Sequence, residues 1–223
     1  MSELFSVERV MGFCEKVCYF LAMNMLFLLS NLPILLFLLF VGAGQIRQCL
    51  PLFLLCLLPL APALSAVMYG MNRIIRGTER GAFADYRKGY FCDFWQKIRL
   101  GAGQLFVIFV CWTNIEFFSL QIKSLSLTVL FILLFAAAVL ATPILYMLAS
   151  RYEMNNIRIV KTAVTLMIAK PVFTLGDIVA LGIVLAAFEI AAGTTVLFMG
   201  SVYGFLVVFM NQRLLRELED NGN

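Results

Sequence analysis

Histidine is absent from all 223 residues. That removes the usual general base, every histidine-containing nucleophilic arrangement and the commonest metal ligand. Charge is scarce too: Asp, Glu, Lys and Arg make up 13% of the chain, about half the share of a soluble domain. Neither GxxxxGK[ST], HExxH nor GxSxG occurs, so there is no phosphate-cradling loop, zinc-protease helix or nucleophile elbow. The six cysteines, at 14, 18, 49, 56, 92 and 111, form no CxxC pair, which argues against a zinc site or a disulfide framework. Paired intramembrane aspartates are also missing, because the only Asp beside an apolar run is Asp177, at its edge. These absences predict a protein that is not an enzyme and holds no cofactor and no metal.

What is present is apolar. The chain is 62% hydrophobic with a mean hydropathy of +0.95, the composition of an integral membrane protein and not of a water-exposed surface. A cleavable signal is not expected, because Glu3, Glu8, Arg9, Glu15 and Lys16 precede an apolar run, 17 to 41, longer than the roughly 7–15 residues of a signal core. A hydrocarbon core about 30 Å thick needs roughly 20 apolar residues per helix. Runs 17–41, 50–69, 101–120 and 125–148 meet that length. The last apolar region, 178 to 210, is too long for one crossing, and "AAGTT" at 191 to 195 offers a break. The expectation is an all-α, polytopic transmembrane bundle of about six spans, the last two at 178–191 and 195–211. Five spans is the alternative, if the last region is a single helix. The whole chain, 1–223, reads as one membrane domain.

Basic residues near span ends stay on the cytoplasmic side. With six spans and the N-terminus inside, two of the 17 Lys and Arg precede the first span, seven lie between 73 and 99, four between 151 and 170 and two, Arg213 and Arg216, in the tail. Only Arg47 and Lys123 then face outward. The basic excess is thus an orientation signal, and nucleic acid is not an expected partner.

Two cytoplasmic segments result, 70–100 and 149–177. In the first, Phe83, Tyr86, Tyr90 and Phe94 recur at helical spacing with Phe91 and Trp95 beside them, and Arg76, Arg87 and Lys88 lie among them. Rings at the headgroup level with snorkelling cations suit a helix lying in the interface. The same residues, Arg76, Phe83, Arg87, Lys88, Tyr90, Phe94 and Trp95, are the candidate contact set for a protein partner or lipid. In the second segment Ile157, Val160, Val164, Met167 and Ile168 share one helical face against Arg158, Lys161 and Thr165, with Pro171 and Gly176 marking a bend afterwards. Ionisable groups at membrane depth are the other functional candidates. Glu116 and Glu189 qualify, with Lys123 as a possible neighbour of either.

Asn24, Ser30, Asn31 and Asn114 are expected to bond between helices, and Pro33, Pro59, Pro62 and Pro143 to interrupt spans. Several of these residues fall in the stretches "NMLFLLSNLP", "PALSAVMYGMNRIIRG", "FADYRKGYFCDFWQK" and "RYEMNNIRIVKTAVTLMIAKP". In that order they resemble the YesL-like family of bacterial integral membrane proteins, a family of unknown function. An apolar insertion, roughly Ile34 to Leu58, departs from the shorter pattern and makes a hairpin between Pro33 and Pro59. The resemblance implies a multi-pass protein of the bacterial plasma membrane, associated with carbohydrate uptake or utilisation, with no established activity. Two functions are therefore weighed. One is a non-enzymatic accessory or assembly partner of a membrane transporter subunit, acting by contact. The other is a small-solute transporter or channel using Glu116 and Glu189.

Overall fold

Prolines set the joints of the first two spans. In the computed structural model, which describes residues 7–152 and 154–212, the first apolar run is two helices, α1 (Val7–Ser30) and α2 (Leu32–Phe40), with Pro33 in the first turn of α2. Proline lacks an amide proton and its ring crowds the preceding turn, so it sits at a helix start more readily than inside one. After a short 3₁₀ turn at Ala43–Gln45 the second run repeats the device as α3 (Leu50–Cys56) and α4 (Leu60–Ile75), separated by Leu57, Leu58 and Pro59. Pro143 likewise divides the fourth run into α7 (Leu125–Leu140) and α8 (Thr142–Ala149).

Between these pairs lie α5 (Ala82–Phe91) and α6 (Phe94–Phe117), the latter followed by a π turn at Phe118–Ile122. The chain closes with α9 (Asn156–Ala169), α10 (Pro171–Ile190), α11 (Ala192–Val196) and α12 (Met199–Met210). No strand occurs among the described residues, and the fold is an all-α bundle. Val10–Ser30, Leu50–Ile75, Phe94–Ile122, Leu125–Ala149 and Pro171–Ile190 are each long and apolar enough to cross a membrane. α12, which lies within the expected sixth span, is a shorter apolar helix of 12 residues, about 18 Å long. It runs back antiparallel along α10: Gly176 meets Met210 near one end, while Val184, Phe198 and Met199 line one cleft towards the other. The last apolar region is therefore broken after Ile190. Its first helix begins at Pro171, seven residues before the expected 178, because proline opens α10 instead of bending the chain ahead of it. The tail residues Arg213 and Arg216, the N-terminal Glu3 and the loop residue Glu153 lie outside the described residues.

The core surrounds α4. Ala61, Ala63, Ala66, Val67, Met68 and Met71 are all buried, and α1, α5, α6, α8 and α12 all pack on this helix. Helices in lipid gain no hydrophobic drive from touching one another, so they associate by close backbone approach through small residues. A Cβ at Gly89 of α5 would lie 2.8 Å from the Ala66 Cα, one at Gly101 of α6 2.6 Å from the Ala61 Cβ, and one at Gly204 of α12 2.6 Å from a Val67 methyl. Burial thins towards the other end: α3 and α7 contain no buried residue and α2 only Phe37, which packs its ring on Phe53 with centroids 5.4 Å apart. The apolar insertion thus forms the α2–α3 hairpin, held by that ring pair and by an ion pair from its tip.

Because the neighbour of Gly89 is backbone, Gly89→Leu has no flexible side chain to displace. It is expected to cost about 1–3 kcal/mol, read as a lower unfolding midpoint of the purified protein in detergent. Gly103→Leu, where a Cβ meets nothing within 4 Å, is the control and should leave that midpoint near the wild-type value.

Candidate functional site

The stretch from Arg76 to Lys97 does not lie loose between spans. After α4, Gly77 (φ +63°) and Gly81 (φ +112°) take backbone conformations that other residues rarely adopt, and the chain doubles back so that α5 docks on α4 and α1. The sequence points to one aromatic face. In the structure that face is divided: Tyr86 is buried, Tyr90 and Phe94 are half-buried and Phe83 is exposed. Docking of α5 on α4 and α1 takes Tyr86 inward and leaves Phe83 outside. α5 then ends at Phe91, and Asp93 adopts a left-handed conformation (φ +53°) that turns the chain before α6 begins, which separates Phe94 from the helix that carries the other three rings.

Under α5 lies a buried polar network. Asp85, 1% exposed, accepts from Arg73 Nη1 at 3.1 Å, from the Tyr19 hydroxyl at 3.0 Å and from the Arg80 amide at 3.1 Å. Arg73 also donates through Nε to the Thr78 carbonyl at 2.9 Å, fixing the α4–α5 turn, and lies over the Tyr69 ring. Lys97, equally buried, donates to the carbonyls of Gly89 at 2.6 Å and Cys92 at 2.8 Å. A cation on the last carbonyls of α5 meets the negative end of its dipole. The Tyr86 hydroxyl donates to Ser30 Oγ at 2.8 Å. Burial pushes the Tyr86 phenol up, against the lowering effect of the Ser30 bond, and pushes Tyr90 up as well. Both rings are therefore neutral at physiological pH.

The outward side of this elbow carries the remaining candidates. Arg76, Phe83, Arg87, Lys88, Phe91 and Trp95 are exposed. Tyr90 and Phe91 both pack against Phe94, and Phe94 meets Trp95 edge to face at 5.7 Å, so the rings from α5 to the first turn of α6 form one chain. Phe91, set beside the aromatic face by its spacing, is as exposed as Phe83 and belongs with Trp95 on this surface.

The intramembrane acids are placed differently from one another. Glu116 forms an ion pair with Arg47 at the tip of the α2–α3 hairpin, not with Lys123. Spacing along one hairpin suggests Lys123; packing of a separate hairpin supplies Arg47. Glu189 is exposed near the end of α10. The acid enclosed within a spanning helix is Asp177, 3% exposed, which accepts from Asn211 Nδ2 at 2.7 Å. Its other oxygen, Thr174 Oγ1 and Asn211 Oδ1 are buried without a protein partner. Asn24 joins α1 to the α11–α12 break, donating to the Val196 carbonyl and accepting from the Gly200 amide, both at 2.8 Å. Asn31, at the α1–α2 joint, instead donates back to the Phe27 carbonyl of α1, and Asn114 donates within its own helix to the Val110 carbonyl. Among the described residues no group of three or more Cys, Asp and Glu could hold a metal ion.

The fold and the elbow define a helical, membrane-type protein with a docked re-entrant element. Residues 20–115 match the model of a family described as a protein of unknown function, DUF624. The match runs from the fourth turn of α1 almost to the end of α6, so it covers the helices that build the elbow. The YesL-like resemblance is compatible with it. No curated protein and no solved structure matches the chain.

Removing one partner of a buried ion pair strands the other, which costs about 3–5 kcal/mol. Asp85→Ala is therefore expected to release α5, read as new protease cleavage between 76 and 93 in purified protein and a lower unfolding midpoint. Glu116→Gln breaks a pair whose arginine is 65% exposed and should change stability by less than about 1 kcal/mol, by the same midpoint measurement.

Proposed function

We propose that the protein is a non-enzymatic accessory or assembly partner of a membrane transporter subunit, of the kind used in carbohydrate uptake. It acts by contact, through the outward side of the α5–α6 elbow. In this reading the chain crosses a bacterial plasma membrane six times with its N-terminus in the cytoplasm, α12 making the short sixth crossing. The observation that carries it is the combination of exposed Phe91 and Trp95 with exposed Arg76, Arg87 and Lys88 on an element fixed from beneath by Asp85 and Lys97. Aromatic and arginine anchors on a rigid support are what recurrent contact surfaces use, because little conformational freedom is lost on binding.

A solute pathway through Glu116 and Glu189 has less support. Glu116 is taken up by Arg47, and Glu189 stands exposed at a helix end.

The test is co-purification of a transporter permease with the full chain from native membranes. Phe91→Ala with Trp95→Ala should reduce the recovered permease at least tenfold while the variant reaches the membrane at wild-type level. Retention of every wild-type partner by that variant would refute the reading. Loss of solute flux in Glu116→Gln or Glu189→Gln vesicles would favour a transporter instead.

A further inference from the structure

On α9 the residues that pack inward are Ile159 and Ala163, both fully buried. Of the apolar face expected from the sequence, Ile157, Val160, Val164 and Ile168 are exposed, while Met167 is half-buried against the core. Ile157, Val160 and Val164 form one wall of a cleft of about 720 Å³ whose other walls are the start of α6 and the α7–α8 joint, with Gly103, Ala137 and Ala141 among them. Its polar floor is already satisfied: Gln104 donates to Thr142 Oγ1 at 2.7 Å and accepts from the Tyr146 hydroxyl at 2.7 Å. What is left to the occupant is apolar surface.

The cleft continues into a second, polar pocket of about 310 Å³, lined by Gln96, Arg99, Met154, Asn155 and Asn156. Arg99 and Asn156 belong to both spaces. The Asn156 amide donates to the Gln96 carbonyl at 3.3 Å, and its own side-chain oxygen is buried without a protein partner. Lys161 lines the cleft, as Arg99 does.

We infer that this composite site binds one anionic phospholipid of the adjoining leaflet. An acyl chain fills the cleft between α6, α7 and α9. The phosphate sits at Arg99 and Lys161, and the headgroup enters the polar pocket lined by Gln96, Asn155 and Asn156. The charge argument selects the lipid: two cations at the mouth of an apolar cleft complement a phosphodiester with no compensating ammonium, and lysine and arginine near a membrane surface draw anionic lipid. The polar pocket accommodates a polar headgroup, since Gln96, Asn155 and Asn156 line it. The site lies apart from the exposed face of α5 and does not depend on the function proposed above.

The experiment is native mass spectrometry of the full chain, delipidated in neutral detergent and supplied with phosphatidylglycerol or with phosphatidylcholine of the same acyl chains. One phosphatidylglycerol per protein should bind, at least tenfold more tightly than phosphatidylcholine. Arg99→Gln with Lys161→Gln should abolish that preference. Val164→Trp, on an exposed position and so tolerated by the fold, should fill the cleft and reduce binding of both lipids. Phe91→Ala with Trp95→Ala should bind lipid as wild type does, whatever it does to partner recovery. Equal binding of the two lipids by the wild type, or an unchanged preference in the Arg99 and Lys161 variant, would overturn the inference. So would a dimer that Val164→Trp dissociates, which would give the cleft to a second copy.

Discussion

Close approach of backbone to backbone around α4 is the constraint on which the rest of the structure depends. Lipid tails are as apolar as leucine, so nothing but shape and polar bonding distinguishes a helix neighbour from the bilayer. Ala61, Ala66 and Val67 on α4 each face a glycine on a different helix, Gly101, Gly89 and Gly204. These contacts set the depth at which α5, α6 and α12 sit. With Gly89 against Ala66, one turn earlier on α5 places Asp85 where Arg73 and Tyr19 reach it. The same docking brings the last carbonyls of α5 to Lys97. The polar network is thus a consequence of the packing and also its lock, because a displaced α5 would leave a carboxylate and an ammonium buried without partners.

Lysines and arginines in this chain therefore serve two purposes that a count of charges does not separate. Arg73 and Lys97 are committed to internal bonds, one to the carboxylate of Asp85 and one to the end of α5. Arg76, Arg87 and Lys88 are exposed around the same elbow. The first two residues hold the element in place; the other three lie at its exposed surface.

Much of the architecture was legible because it rests on local chemistry. Pro33, Pro59 and Pro143 mark joints wherever they stand, and the apolar runs and the break after Ile190 follow from length and composition. What was not legible depends on which neighbour each face meets. The period through Phe83, Tyr86, Tyr90 and Phe94 is real, yet a single left-handed residue, Asp93, ends it, and docking on α4 takes Tyr86 inward and leaves Phe83 outside. On α9 the apolar face suggested packing, but the protein packs on Ile159 and Ala163 and leaves that face open. Glu116 found its partner on the inserted hairpin, a contact across 69 positions that no local spacing shows. By composition Asp177 stands at the edge of an apolar run; a proline that opens the helix at 171 places the same residue within it.

The first two turns of α6 connect the two surfaces. Phe94 and Trp95 complete the ring chain of the elbow, Lys97 caps α5 from inside, and Gln96 and Arg99 line the polar pocket beside α9. Residues one or two positions apart on a helix point in different directions, about 100° per residue, so one short segment presents both faces without either crowding the other. Asn156 ties α9 to this segment through the Gln96 carbonyl, and Arg99 returns a bond to the Trp95 carbonyl. An occupant of the cleft that drew Arg99 towards it would act on the same turn that carries Trp95. The elbow and the cleft beside α9 thus share the first two turns of α6, whereas the loosely packed α2–α3 hairpin lies at the far end.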